Sequence, residues 1–234
     1  PMPIPVRAAA PGAGGKPKAV KPPPVTGPWR FATLLIAPHR LGFFSAMVVL
    51  VAASFWWLAV QADRSFGALG LSATLAPITT HAAVMVFGFM PLFFSGFLFT
   101  AGPRWLGVPP HKPTKTAPCV VLQMAGWLLW LAGAHTHAGV ALAGMALALA
   151  GLAWMAALFW QLIFASQEED RVHGKTVGYG GIVGVLSLGG ALLALLAQRQ
   201  DLALLLVRTG LWGFIVVTYV AVAHRMIPFF TSNV

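Results

Sequence analysis

Long apolar stretches separated by short polar connections make up most of the chain after residue 40. A helix needs roughly 20 mainly apolar residues to cross a bilayer. Six stretches meet this requirement, at residues 41–60, 81–100, 118–134, 139–164, 178–197 and 202–223. The pattern therefore predicts an all-α protein, a polytopic membrane helix bundle with six transmembrane helices.

The N-terminal region has a different composition. Residues 1–28 are rich in Pro, Gly, Ala and Lys and contain no long apolar run. Such a composition buries too little apolar surface to offset the entropy that is lost on ordering. We therefore expect two regions: a disordered, basic, Pro/Gly-rich tail over residues 1–38 and a six-helix transmembrane domain over residues 39–234.

The overall composition excludes a water-soluble protein. Hydrophobic residues make up 58% of the chain and charged residues only 9%, whereas soluble domains carry about 25% charged residues. The net charge of +10 would indicate a nucleic-acid partner in a soluble protein. Here the expected partner is the lipid bilayer, and no nucleic acid is expected. Cys119 is the single cysteine, which excludes an intramolecular disulfide and any cysteine-based zinc or iron–sulfur site.

The basic residues predict the orientation of the bundle, because Lys and Arg concentrate in cytoplasmic segments. Most of them fall on one side of the predicted helices: Arg7, Lys16, Lys18, Lys21, Arg30, Arg40, Arg104, Lys112, Lys115, Arg171, Lys175 and Arg225. The opposite side carries only Arg64, Arg199 and Arg208. We therefore expect both the N-terminus and the C-terminus to be cytoplasmic.

The acidic residues give no sign of proton transfer within the membrane. None of the five carboxylates lies in the middle of a predicted span. A proton- or cation-coupled carrier usually needs such a buried acid. The chain also lacks phosphate-binding, dinucleotide-binding and nucleophile-elbow motifs. The sequence thus identifies no catalytic residue and leaves open whether the protein is an enzyme.

Histidine is the remaining side chain with cofactor chemistry, since imidazole binds heme iron and copper. His111 and His173 fall in polar loops, where we expect them to be solvated. His81 opens the second span, and Met85 and Gly88 follow it at i+4 and i+7 spacing, which places all three on one helix face. This predicts a cofactor-binding face on which Gly88 admits a flat macrocycle. The alternative is an interfacial histidine followed by an ordinary packing stripe.

The other histidines lie at the ends of predicted spans. His135 and His137, in the turn between spans 3 and 4, are candidate copper ligands, although His-x-His also occurs in ordinary loops. On the predicted cytoplasmic side, His39 precedes an arginine and His224 precedes Arg225. Because an arginine fork binds carboxylates well, each pair is a candidate for holding a heme by its propionates. The alternative is plain anchoring by positive charge.

Three runs of the sequence resemble those of the NnrS family, bacterial inner-membrane proteins linked to heme, copper and nitric oxide stress. The longest run is similar to the family's pattern of His, then Phe-Gly-Phe, then Gly-Phe-Leu-x-Thr-Ala-x-Pro-x-Trp-x-Gly. In this chain it reads His81, Phe87-Gly88-Phe89 and Gly96-Phe97-Leu98-Phe99-Thr100-Ala101-Gly102-Pro103-Arg104-Trp105-Leu106-Gly107. The shorter runs are His39-Arg40-Leu41-Gly42-Phe43-Phe44 and Arg225-Met226-Ile227-Pro228-Phe229-Phe230-Thr231.

The chain departs from the family pattern in two ways. The family often has His-Ala-His-Glu-Met where this chain has His81-Ala82-Ala83-Val84-Met85, so the second histidine and the glutamate are missing. Family members are also longer and continue with a Gly-His-Thr-Gly segment. We therefore expect this chain to correspond to the N-terminal half of the family or to a shortened paralogue.

The resemblance implies a cofactor and a role. It implies heme b, with His81 as the favoured ligand and His39 or His224 next, and copper at His135 and His137. It also implies a bacterial inner-membrane location and a role in nitric oxide or nitrosative stress, or in denitrification-linked metal chemistry, with nitric oxide or another small gas as ligand. The alternative is a non-enzymatic permease or an accessory subunit of a respiratory complex. Such a protein would associate with that complex or with copies of itself.

Overall fold

The structure, a computed structural model, describes residues 30–67 and 69–231, with side chains up to residue 227. Six helices in this part of the chain are long and apolar enough to cross a membrane, which confirms the predicted all-α bundle with six spans. We number them α1 (Pro38–Phe66), α2 (Pro77–Trp105), α3 (Pro113–Thr136), α4 (Ala138–Ala165), α5 (Val172–Leu196) and α6 (Gln200–Ile227). The last helix continues to Thr231.

Most of the predicted N-terminal tail, residues 1–29, lies outside the described residues. The described remainder of that region forms a short 3-10 helix, Phe31–Leu35, and the first residue of α1. The placement of both termini in the cytoplasm stays a prediction.

Prolines and a histidine mark where the helices begin. Pro38, Pro77 and Pro113 lie in the first turns of α1, α2 and α3, where the fixed φ of proline suits a helix and its missing N–H is not needed. His137 caps α4, because its Nδ1 accepts a hydrogen bond from the backbone N–H of Gly139 at 3.0 Å. The helices extend beyond most of the predicted spans, since an apolar window marks only the part suited to hydrocarbon.

Glycines allow neighbouring helices to approach closely. A Cβ added at Gly126 of α3 would lie 2.5 Å from the backbone nitrogen of Ala148 in α4. Where α1 crosses α2, a Cβ at Gly42 would lie 2.6 Å from the Cα of Gly96. Small residues are favoured at such crossings because lipid supplies no hydrophobic drive for helix association. These glycines therefore hold the bundle together.

Two spans contain a wide π turn, over Met85–Phe89 in α2 and Leu211–Val216 in α6. The ring of Phe87, in the first turn, fills the space that a Cβ at Gly210, just before the second, would need. A π turn closes its hydrogen bonds from i to i+5 and so holds one residue more than an α turn. Residues on the two sides of such a turn do not keep the i, i+4, i+7 register that the sequence analysis assumed.

The helices alternate in direction, so the histidines fall at two opposite ends of the bundle. His39, at the start of α1, contacts Thr100 near the end of α2. Trp56, in the second half of α1, contacts His135 at the end of α3. We call these the His39 end and the His81 end. The His39 end also holds His111, His173 and His224, and the His81 end also holds His135 and His137.

Candidate functional site

The His39 end contains a large cavity between α1, α2 and the end of α6. Its volume is about 780 Å³, which lies within the roughly 300–1,000 Å³ typical of cofactor and small-molecule sites. Its wall is mostly apolar and aromatic, and it is formed by His39, Phe43, Gly96, Phe97, Thr100, Ala101, Arg104, Trp105, Arg225 and Met226. No acidic residue of the described chain lines it. The cavity therefore suits an apolar ligand that carries negative charge.

The crossing of α1 and α2 places His39 in this wall. Gly96 lies directly beneath α1: a Cβ there would be 2.9 Å from Cδ1 of Phe43 and 3.2 Å from the Cα of His39. The first turn of α1 can lie against α2 only because position 96 has no side chain. The glycine of the sequence motif thus sets the position of the histidine.

A hydroxyl on α2 lies near one ring nitrogen of His39. Thr100 donates its hydroxyl hydrogen to the backbone oxygen of Gly96 at 2.8 Å. Its Oγ1 lies 3.5 Å from Nδ1 of His39, at the long limit of a hydrogen bond. Because that hydroxyl hydrogen is engaged, the contact suits the tautomer in which Nδ1 carries the proton and Nε2 keeps its lone pair. Within the described residues Nε2 has no hydrogen-bond partner, so its lone pair remains available to a metal.

Two guanidinium groups flank the same cavity. Cζ of Arg225 lies 5.6 Å from the centre of the Trp105 ring, a cation–π contact. Phe97 meets the edge of Trp105 with ring centres 5.7 Å apart. Arg104 lies one residue before this tryptophan and is exposed. Arg199 and Asp201 form the ion pair found among the described residues, so neither cavity arginine is neutralised by a carboxylate there.

The structure regroups the residues that the sequence had paired. Arg225 lines the cavity together with His39. His224, its neighbour in sequence, instead contacts His173: the Nε2 of His173 lies 3.0 Å from the Nδ1 of His224, and the two rings stack. His173 was expected to be solvated in a loop, and that expectation was wrong. The arginine next to His39 in sequence contacts the backbone oxygen of Thr33.

Sequence reasoning missed several residues of this cavity. Phe43, Thr100, Arg104 and Trp105 line it, but none of them was predicted as a site residue. A signal for them was present, because positions 97, 100, 101 and 104 follow helical i, i+3, i+4, i+7 spacing on α2. Thr100 and Arg104 are polar positions on an otherwise apolar helix face.

His81 lies at the opposite end, against an aromatic ring. Its ring stacks on Trp57 with centres 4.1 Å apart and an interplanar angle of 13°. The Nδ1 of His81 is buried and has no hydrogen-bond partner among the described residues. The face predicted for His81, Met85 and Gly88 crosses the start of the π turn: the backbone N–H of Met85 still bonds to the oxygen of His81, whereas Gly88 lies within the turn. The side chain of Met85 is 39% exposed, whereas a Cβ at Gly88 would meet the side chains of its own helix and of the neighbouring α1 and α3.

The two candidate copper ligands already make hydrogen bonds within the protein. His135 accepts a hydrogen bond at Nε2 from the indole N–H of Trp56 at 2.8 Å and donates from Nδ1 to the backbone oxygen of Ser72 at 2.8 Å. His137 uses its Nδ1 to cap α4. No group of three or more His, Cys, Asp or Glu side chains suited to a metal occurs in the described ranges. Binding of copper at His135 would require the loss of one of its bonds.

These features define a class: a multi-pass membrane protein with a mostly apolar, arginine-flanked cavity lined by a histidine whose Nε2 has no hydrogen-bond partner in the described part of the chain. The family model described as NnrS protein matches residues 33–234. The chain therefore belongs to the NnrS family, as the sequence motifs indicated, and this family is associated with the nitric oxide response. Comparisons with curated proteins and with solved structures gave no match.

Proposed function

We propose that this protein binds a b-type heme in the His39 cavity and acts in the bacterial inner membrane in the response to nitric oxide. The observation that carries the proposal is that one apolar cavity combines two arginines with a histidine nitrogen, none of which has an acidic or hydrogen-bonding side-chain partner among the described residues. The histidine would bind the heme iron, the arginines would bind the propionates, and the apolar wall would contact the macrocycle.

His39 is the residue that would hold the heme iron. A histidine that binds a metal through one ring nitrogen usually donates the other N–H to a protein acceptor, which fixes the tautomer. The oxygen of Thr100, 3.5 Å from Nδ1, is placed to act as that acceptor. Its weak, long contact leaves the ring free to adjust when the cavity is filled.

Arg104 and Arg225 suit the two propionates. Arginine binds carboxylates through two parallel N–H groups, and no acid of the described chain competes for them here. The stacking on Trp105 holds Arg225 at the cavity wall. Both arginines lie near the end of a span, so the propionates would face the polar headgroup region while the macrocycle lies among apolar side chains.

Apolar side chains form much of the remaining wall. Phe43, Phe97 and Met226 supply apolar surface, and Phe43 is itself held by a stacked contact with Phe93 at 4.8 Å. A heme bound there would supply an iron that takes a small gaseous ligand such as nitric oxide. The protein's own contribution is to orient the heme in mainly apolar surroundings.

The geometry favours His39 over His81, the reverse of the order implied by the sequence resemblance. Trp57 covers one face of the His81 ring, and Gly88 is enclosed by packed side chains. His224 is also less suited, because its Nδ1 is engaged with His173.

The test is the visible spectrum of the full chain purified in detergent from cells supplied with heme. We expect a Soret band in the unaltered protein, loss of the band in His39→Ala, and retention in His81→Ala. The two variants are matched, because each removes a half-buried histidine near the start of a helix. Absence of any Soret band would refute the proposal and favour a permease or an accessory subunit. Loss of the band in His81→Ala but not in His39→Ala would indicate that the heme binds at the His81 end instead.

A further inference from the structure

A second cavity lies inside the bundle, on the other side of α2 from the His39 cavity. Its volume is about 20 Å³, enough for one water-sized or diatomic molecule. Phe99 of α2, Met155 and Phe159 of α4, Gly181 of α5 and Phe214 of α6 form much of its wall. Four helices therefore meet around this space.

The side chains in the wall of this inner cavity are all apolar. It consists of aromatic rings, aliphatic groups, a thioether and glycines, and none of its side chains carries nitrogen or oxygen. A buried water needs two to four polar partners, whereas apolar cavities stay dry and take up apolar molecules such as xenon. The wall therefore selects a small, uncharged, apolar molecule over water.

One turn of α2 borders both cavities. Leu98 and Phe99 line the inner cavity, while Phe97 and Thr100 line the His39 cavity. A molecule in the inner cavity is thus separated from the His39 cavity by the thickness of one helix. Ala156, also in the wall of the inner cavity, is only half-buried, so this wall extends toward the outer surface of the bundle. Apolar gases enter such a surface from hydrocarbon, where they partition favourably.

We infer that the inner cavity is a binding site for a neutral diatomic gas beside the His39 cavity. The binding of an apolar gas is inferred from the apolar side chains of the wall and from the small volume of the cavity. The identification of that gas as nitric oxide rests on the proposed function.

Two glycines of α5 provide a matched pair of variants. A Cβ added at Gly181 meets only the Cβ of Ala156, at 3.6 Å, so Gly181→Ala places a methyl group in the cavity without a clash. A Cβ added at Gly189 meets a side-chain carbon of Leu149, also at 3.6 Å. Gly189 does not line the cavity. The two replacements change helix propensity equally, and they differ in whether the cavity is filled.

The experiment uses the full chain in lipid nanodiscs with ¹³C-methyl methionine, and the probe is xenon. Met155 lies in the cavity wall, and Met145 of the same helix is fully buried away from it. We expect xenon to shift the Met155 signal in the unaltered chain and in Gly189→Ala and to leave Met145 in place. In Gly181→Ala the Met155 shift should be lost. No Met155 shift in the unaltered chain, or an equal shift in Gly181→Ala, would overturn the inference.

The same samples separate this inference from the proposed function. Protein that shows the Met155 shift but never acquires a Soret band would refute heme binding and keep the gas site. Protein that acquires the band but shows no Met155 shift would refute the gas site and keep heme binding.

Discussion

The guanidinium of Arg225 lies over the indole ring of Trp105, with Cζ 5.6 Å from the ring centre. This contact joins the end of α6 to the end of α2, and both residues line the His39 cavity. The stacking holds the positive charge at the wall without neutralising it. The cavity therefore presents a fixed cation beside an apolar interior.

Replacement of this arginine should weaken heme binding. We expect Arg225→Ala to raise the dissociation constant for heme about 10-fold or more, because a hydrogen bond to a charged group contributes about 1.5–3 kcal/mol. Arg225→Lys should give a smaller loss, since lysine keeps the charge but not the planar fork. The measurement is a heme titration followed at the Soret band. Arg199→Ala, which breaks the Arg199–Asp201 pair at the other end, is the control, and equal affinities for both alanine variants would argue against a role for Arg225.

Removal of the Thr100 hydroxyl, which lies near Nδ1 of His39, should also change heme binding. Thr100→Val keeps the shape of the side chain but removes the oxygen near Nδ1. Such partners of metal-binding histidines typically change metal affinity about 10- to 100-fold, so we expect weaker heme binding and a shifted Soret maximum. Thr100→Ser keeps a hydroxyl and should resemble the unaltered chain. If valine and serine behave alike, the hydroxyl does not orient the histidine.

The crossing of α1 and α2 should tolerate no added methyl group. In Gly42→Ala the new Cβ would lie 2.5 Å from the backbone nitrogen of Gly96, and a backbone cannot rotate away as a side chain can. Overpacking of this kind costs about 1–3 kcal/mol, so the thermal unfolding midpoint in detergent should fall. Gly189→Ala, with an ordinary 3.6 Å contact, should leave the midpoint unchanged or raise it slightly. A stable Gly42→Ala protein would show that the two helices are not in close contact.

The predicted orientation can be measured because the single cysteine is inaccessible. Cys119 is fully buried, so the unaltered chain should not react with a membrane-impermeant maleimide. Ala197→Cys and Gln167→Cys place exposed thiols in the α5–α6 and α4–α5 connections, at opposite ends of the bundle. With both termini cytoplasmic, Ala197→Cys is labelled on spheroplasts and Gln167→Cys only after lysis. The reverse labelling pattern would show that the bundle has the opposite orientation in the membrane.

The six spans could be predicted from the sequence because a helix must be long and apolar to cross a bilayer, and few other structures can span one. The grouping of the site residues was not readable in the same way. Neighbouring residues on a helix point about 100° apart, so His224 and Arg225 face different partners. One contacts His173 and the other contacts Trp105. Sequence adjacency identified His39 and Arg225 separately, and only the packing of α6 beside α2 brings them together.

The face predicted for His81, Met85 and Gly88 stays a prediction, but the helix there departs from the geometry on which it was based. Its spacing assumed a regular α-helix, and no residue between His81 and Gly88 signals a π turn in the sequence. The turn depends on tertiary packing, with Phe87 of α2 pressed against Gly210 of α6. Periodicity along one segment contains no information about such a partner.

The π turn in α2 also determines how the two halves of that helix are rotated relative to each other about the helix axis. Because the turn holds one additional residue, it determines the angle at which His81 points relative to Thr100. Deleting a single residue there would rotate one half by about 100° relative to the other and would move His81 off Trp57 or Thr100 away from His39. The orientations of the His39 end and the His81 end are therefore coupled through α2. A change in the number of residues within the π turn would misalign one of the two ends, even if every side chain at that end were retained.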